Sequence, residues 1–247
     1  MRVAALYDVH GNLPALEAVL AEVETVQPDT LLVGGDVAAG PMPAETLALL
    51  LSHERVTLIR GNGDRAMLEP PDESEESWVR AQRWASFQLT HEQRSFLAAL
   101  PQTAAFDVEG LGRVLFCHGS PRSDEEIVTR VTSEERLRPI LAGVEERIVV
   151  CGHTHVQFDR VVGGTRVVNA GSVGMPYEGR PGAYWALLGP DVELRRTEYD
   201  LENAAQRVRE SGFPGADEFV DENILASADP DEASEHFENM AAELARE

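Results

Sequence analysis

Five short polar segments each follow a brief apolar run: Asp8-Val9-His10, Gly34-Gly35-Asp36, Gly61-Asn62-Gly63-Asp64, Cys117-His118 and Cys151-Gly152-His153-Thr154-His155. Carboxylate and amide oxygens together with imidazole nitrogens are ligands for divalent metals, and a set this rich could serve two adjacent ions. Two such ions can activate water and neutralise a developing anion, so the residues point to a dinuclear hydrolase. Singly, each segment is weak: Asp-x-His arises by chance, Gly-Gly-Asp can be a turn, and a histidine at a strand end often bonds the backbone. Their order and placement carry the argument. His153 and His155 are two apart, a spacing that diverges on a helix but lets each ring face one ion from a loop. Gly152 and the small Gly11, Gly35, Gly61 and Gly119 allow the backbone to turn there. A liganding imidazole needs an acceptor for its other nitrogen, for which backbone carbonyls or Asp64 are the candidates.

These loops need strands to position them. Arg2 to Tyr7, Thr30 to Val33 and Val56 to Ile59 read as buried strands. Between them, Leu13 to Val26 carries a helical stripe of Leu13, Leu16, Val19, Leu20 and Val23, and Pro43 to Leu51 forms a second helix. Alternation of this kind predicts a parallel sheet with helices on its faces, whose active-site loops gather beyond the carboxyl ends of the strands. Asp8, Asp36 and Asn62 fall there.

An acidic loop is expected from Glu69 to Ser77, then helices over Trp78 to Gln88 and Glu92 to Leu100, the second opened by a capping box at Thr90-His91-Glu92-Gln93. Thr103 to Val108 and Arg113 to Cys117 read as a hairpin, and Ser133 to Ala142 as a helix. Strands follow at Arg147 to Cys151, at Gln157 to Val162 and Thr165 to Val168 joined by Gly163-Gly164, and at Ala183 to Leu188 and Val192 to Tyr199. So many strands fit two packed sheets better than one. Residues 216–247 hold eleven acidic side chains and one Arg, which reads as a docked or frayed tail of one or two helices, for example over Ala233 to Ala245, or as an acidic surface for a partner.

The chain has 247 residues, 43% of them hydrophobic, and a formal net charge of −22. One domain is expected, covering 1–247, with a helical insertion near 66–100 and an acidic peripheral segment near 200–247. No apolar run reaches membrane-spanning length and no signal peptide precedes the first strand, so a cytoplasmic protein without membrane contact is expected. The negative charge argues against a broad nucleic-acid surface. All 21 basic residues are Arg, which excludes Schiff-base and P-loop lysine chemistry. Cys117 and Cys151 each close an apolar run and read as buried thiols rather than a disulfide.

In this order the segments resemble the calcineurin-like metallophosphoesterase superfamily, whose pattern is D-x-H, G-D, G-N-H-D/E, H and G-H-x-H. The turn Asn169-Ala170-Gly171-Ser172 resembles that of its small prokaryotic phosphodiesterase branch. The resemblance implies an α/β fold, a four-layer αββα sandwich of two mixed sheets flanked by helices. It also implies two divalent ions, one held by Asp8, His10 and His155, the other by Asn62, His118 and His153, with Asp36 bridging. The donor mixture suits Mn2+, Fe2+, Zn2+, Ni2+ or Co2+. Asp36, Asn62 and His118 are the expected catalytic group. Asn62, Arg65 and Arg122 are candidates for holding a phosphoryl group, and Asn12 either joins them or caps the following helix. His53, His91 and His236 are not expected to be ligands.

The implied function is a phosphodiesterase acting on a small phosphoester. A phosphomonoesterase with the same site and a non-catalytic metal-binding scaffold are the alternatives. One departure stands out: Gly63 occupies the place where many family members carry the histidine that protonates the leaving group. This predicts a preference for activated esters, substrate-assisted departure or a replacement acid.

Overall fold

The computed structural model describes residues 1–69, 74 and 76–246. Much of the expected acidic loop, at 70–73 and 75, lies outside the described residues, as does residue 247. Among those described, strand β1 (Val3–Leu6) is buried along its whole length. Val3 and Ala5 join the core between two sheets, whereas Ala4 and Leu6 pack beneath helices. A strand with no solvent face must be apolar at every position, and β1 is.

Helix α1 (Leu13–Val26), strand β2 (Thr30–Val33), helix α2 (Pro43–Leu51) and strand β3 (Val56–Leu58) complete the βαβαβ unit. β1 pairs parallel with β2, Leu6 opposite Val33, and β2 with β3, Val33 opposite Leu58, so the three strands end at one level. The single-turn helix α3 (Asn62–Ala66) follows, then α4 (Ser77–Gln88) and α5 (His91–Ala98), two helices close to those the sequence predicts. Thr90 and Gln93 make the predicted capping box.

Strands β4 (Thr103–Val108) and β5 (Gly112–Cys117) form the expected hairpin, and helix α6 (Glu134–Ile140) precedes β6 (Ile148–Cys151), β7 (Phe158–Val162) and β8 (Thr165–Asn169). The last strands, β9 (Ala183–Leu188) and β10 (Val192–Thr197), return to the first sheet. The two mixed five-stranded sheets run β10-β9-β1-β2-β3 and β4-β5-β6-β8-β7. Their inner faces meet through Tyr7, Phe116, Val150 and Leu188. Helices α1 and α2 cover the first sheet and α6 the second, giving an αββα sandwich. β5 and β6 lie parallel, Phe116 opposite Val150, which places Cys117 and Cys151 side by side as buried free thiols.

The C-terminal segment is more integrated than a peripheral tail. Helices α7 (Leu201–Glu210) and α8 (Ala216–Asn223) bury Ala204, Ala205, Val208, Phe219, Val220 and Ile224 in a core shared with Leu13 and Met42. Helix α9 (Pro230–Leu244) returns toward the loops at the strand ends and buries only Ala233 and Ser234. No helix among the described residues is long and apolar enough to cross a membrane.

Candidate metal centre

The loops beyond β1 and β2 are stitched to each other: Asp8 N donates to Gly35 O at 3.1 Å and His10 N to Asp36 O at 2.9 Å. Across the sheets, Gly152 N donates to His118 O at 2.9 Å and His153 N to Asp8 Oδ2 at 2.8 Å. Both sheets therefore contribute to one cluster. The turns are so tight that Asp8, His10, Asp36, His153 and His155 all have positive φ, between 47° and 66°. Non-glycine residues reach this left-handed region only at a cost, and such residues concentrate at functional sites. Gly61 is required for a different reason, since a Cβ there would lie 2.1 Å from Asp36 Oδ1.

Three rings are oriented by backbone carbonyls. Nδ1 of His10 lies 3.2 Å from Ala39 O, Nδ1 of His118 2.9 Å from Gly34 O, and Nδ1 of His155 2.8 Å from Met175 O. A carbonyl only accepts, so each Nδ1 carries a proton and a neutral ring turns the lone pair of Nε2 inward. The Nε2 atoms of His10 and His155 then approach to 3.2 Å. Asp8 Oδ1 lies 3.4 Å from His155 Nε2, 3.8 Å from His10 Nε2 and 3.8 Å from His118 Nε2, and has no hydrogen-bond partner among the described residues although fully buried. Such a set of converging acceptors needs a cation, and the donor types fit a divalent metal.

Among the described residues two groups could hold an ion, Asp8 with His10 and His155, and Asp8 with Asp36 and His118. Asp36 Oδ2 stands between them, 3.8 Å from His10 Nε2 and 3.5 Å from His118 Nε2. Asn62 Oδ1 lies 3.0 Å from His118 Nε2, and the His153 ring 5.2 Å from that of His118. All seven expected ligands are thus brought together. Asp8, which the resemblance gave to one ion, is a member of both groups. Burial pushes the Asp36 carboxyl up, but His118 and His10 outweigh it and hold it well below the ordinary carboxylate range. Burial lowers His118, yet Asp36 and Asp8 raise it to about 10, so without metal this ring is the proton that offsets the carboxylates. His153 is taken down to about 4 by burial and by neighbouring His118.

Of the expected phosphate contacts, Asn12, Arg65 and Arg122 are engaged elsewhere. Asn12 is buried and caps α1, its Oδ1 accepting from Ala15 N at 3.2 Å while Nδ2 donates to Gly174 O at 3.0 Å. Of its two predicted roles, the helix cap is the one the structure shows. Arg65 donates to Asp124 at 3.1 Å and to Glu125 at 2.6 Å, and Arg122 to Glu126 at 2.9 Å. Both guanidiniums are paired with carboxylates, far along the chain or on the next turn, and so are not spare cations. Asp64 is likewise not an acceptor for imidazole. Its carboxylate accepts from the backbone N–H groups of Asp36 at 2.8 Å, Val37 at 2.9 Å and Gly61 at 3.1 Å, pinning the β2 and β3 loops together.

Several supporting residues escaped sequence reasoning. Asn169 donates to Gly152 O at 2.7 Å and to Thr154 Oγ1 at 3.1 Å, bracing the two-histidine loop. Ser172 donates to Asp8 O at 2.7 Å. The turn carrying both was visible in the sequence, but its bracing role was not. Tyr177 sets its ring 4.9 Å from that of His155, and Phe237 of α9 lies 6.3 Å from both Tyr177 and His153. Nothing in the periodicity of an acidic helix marks Phe237 as a neighbour of His153.

Comparison with known proteins agrees with this geometry. An uncharacterised protein of Methanocaldococcus jannaschii is 24% identical over 233 residues, covering 86% of this chain and 93% of the relative. A metallophosphoesterase from Sphaerobacter thermophilus superposes with a TM-score of 0.73 at 28% identity, covering 92% of this chain and 98% of its own. A hypothetical protein of Pyrococcus horikoshii OT3 shares the fold with a TM-score of 0.77 at 22% identity, over 92% of this chain and 98% of its own. The model of the calcineurin-like phosphoesterase superfamily domain matches residues 1–189, the span that builds both sheets' inner strands and every clustered Asp, Asn and His, and the chain therefore belongs to that superfamily.

Proposed function

We propose that the protein is a phosphodiesterase with a two-ion centre held by Asp8, His10, Asp36, Asn62, His118, His153 and His155. The observation that carries the reading is Asp8 Oδ1, a buried oxygen without a hydrogen bond, faced by three Nε2 atoms within 3.8 Å. When bound, two divalent cations supply Lewis acidity to a phosphoryl group and acidify a water for attack on phosphorus.

The chain's own residues do the rest. Asp36 remains ionised and presents Oδ2 to both halves of the cluster. The carbonyls of Ala39, Gly34 and Met175 fix the tautomers of His10, His118 and His155, so their lone pairs are preorganised. Asn62 turns Oδ1 toward His118 and keeps an amide N–H for a phosphoryl oxygen. Tyr177 and Phe237 wall the site and keep bulk water from its flank.

A diester is favoured over a monoester by charge. A monoester dianion calls for an extra cation such as a bidentate Arg, and Arg65 and Arg122 are both bound to carboxylates. The test uses chelated protein reloaded with Mn2+ and assayed on bis-p-nitrophenyl phosphate and p-nitrophenyl phosphate. A higher kcat/KM for the diester, with two ions per chain by elemental analysis, is expected. Preference for the monoester would reassign the substrate, and absence of turnover on both would overturn the reading.

A further inference from the structure

Beside the metal centre, a cavity of about 200 Å3 opens between α4, α8 and the loop carrying Met175. Met175 belongs to both places: it lines the cavity, and its carbonyl accepts from Nδ1 of His155. Trp78, Phe213 and Phe219 supply the cavity's aromatic surface, and Glu218, Glu222 and Asn223 its polar groups. Glu222 is also near enough to act on the phenol of Tyr177, whose ring stands against His155.

Three features of this cavity call for a ligand. Trp78 is 61% exposed, and its ring is oriented by an Nε1–H bond of 2.6 Å to Glu76. Glu218 and Glu222 are one turn apart on α8, a like-charge spacing that disfavours a helix. Among the described residues neither has an ion pair, whereas Asp217 and Asp221 of the same helix are paired with Arg209 at 2.9 and 3.4 Å. Asn223 is 5% exposed and lines the cavity, yet its side-chain amide has no hydrogen-bond partner among the described residues. Its amide atoms are not among the fully buried ones that lack a partner, so they face the cavity opening and are free to meet a ligand.

Aromatic faces, two uncompensated carboxylates and a free amide oxygen, with no basic residue in the lining, are the components of a site for an organic cation. We propose that this cavity binds an alkylammonium group, so that the substrate is a zwitterionic phosphodiester with its ammonium in the cavity and its phosphate at the metal centre. The proposal rests on the phosphodiesterase reading. It deepens that reading through charge: a chain of net charge −22 repels a polyanion, while a zwitterion arrives without net charge and is aligned by two sites of opposite sign.

The experiment compares p-nitrophenyl phosphocholine with p-nitrophenyl 3,3-dimethylbutyl phosphate, which has the same leaving group and shape but carbon in place of the quaternary nitrogen. With Mn2+-loaded protein, kcat/KM should be about tenfold higher for the cationic ester. The double variant Glu218→Gln/Glu222→Gln should bring that ratio close to one, a change that a purely structural role for these residues would not produce. A second readout needs no turnover: choline chloride, at matched ionic strength, should perturb tryptophan fluorescence in the wild type and in Trp84→Phe but not in Trp78→Phe, and 3,3-dimethylbutanol should do so more weakly. Hydrolysis of both esters at equal kcat/KM would overturn the cation site while leaving the phosphodiesterase reading intact. Choline binding without hydrolysis of either ester would do the reverse.

Discussion

Gly63 donates its backbone N–H to Oδ1 of Asp36 at 2.6 Å, while Oδ2 of the same carboxylate faces His10 and His118. One oxygen is thus fixed by the backbone, and the other faces both histidines, as the proposed bridge requires. An amide at this position would present either a neutral oxygen or an N–H to the cluster. Asp36→Asn is expected to lower kcat by at least about 10³-fold and to lose one metal per chain, checked by turnover and elemental analysis of the same sample. Two retained ions with near-normal turnover would refute the bridging role.

The same contact decides what Gly63 can become. A Cβ at this position would meet Asp36 Oδ1 at 2.9 Å and Oδ2 at 3.0 Å. A side chain there would have to push the Asp36 carboxylate aside. We therefore expect Gly63→His to lower kcat/KM for every ester, by about tenfold or more. The wild type, lacking an acid here, should show rates that fall steeply as leaving-group pKa rises. A series of aryl and alkyl diesters measures both effects. A flat dependence under rate-limiting chemistry would mean that another residue supplies the proton.

Glu178 gives a pH dependence away from the metal ligands. Burial raises its pKa to about 6 from an ordinary 4.5, against the pull of the Gln157 N–H it accepts. A raised carboxylate holds its proton more tightly in the folded state, so its ionisation costs stability at pH above about 6, and the cost vanishes below the unfolded value. Glu178→Gln keeps an acceptor oxygen and removes that cost. Its Tm should exceed the wild type's at pH 7.5, by an amount equivalent to about 1 to 2 kcal/mol, and match it near pH 4. An equal gain at both values would show a cause other than ionisation.

Helix α9 should be the first element to detach. It buries only Ala233 and Ser234 and is held by Glu238, which accepts from Thr129 Oγ1 at 2.7 Å and Arg136 at 2.7 Å, and by an ion pair between Asp231 and Arg130. Hydrogen exchange over 230–244 should be faster than over α1, and Glu238→Ala should accelerate it further while shifting Tm by a few degrees at most. Loss of global cooperativity in that variant would show that α9 belongs to the core.

Local signals carried much of this architecture into the sequence. The apolar runs of β1, β2 and β3, the stripe of α1 and the Thr90 capping box were legible because each depends on neighbours a few residues away. So was the cluster itself, because strand ends and polar loops alternate. What stayed hidden depends on distant partners. Arg65 could not be seen as bound until Asp124 was placed beside it, nor Asn12 as sealed until Gly174 covered it. The acidic composition of the C-terminal segment likewise concealed Phe219, Val220 and Ile224, which anchor α8 to the core, because charge on one helix face masks a short apolar face on the other.

The left-handed backbone at Asp8, His10, Asp36, His153 and His155 sets function against stability position by position. Each of these side chains is retained in a conformation that glycine would adopt without steric penalty. Replacing His10 or His153 by glycine would remove a proposed ligand and relieve a strained turn in one step, so such variants should be inert yet melt no lower, and even higher, than the metal-free parent. A screen that selects for thermal tolerance alone would therefore erode this centre, starting with its histidines.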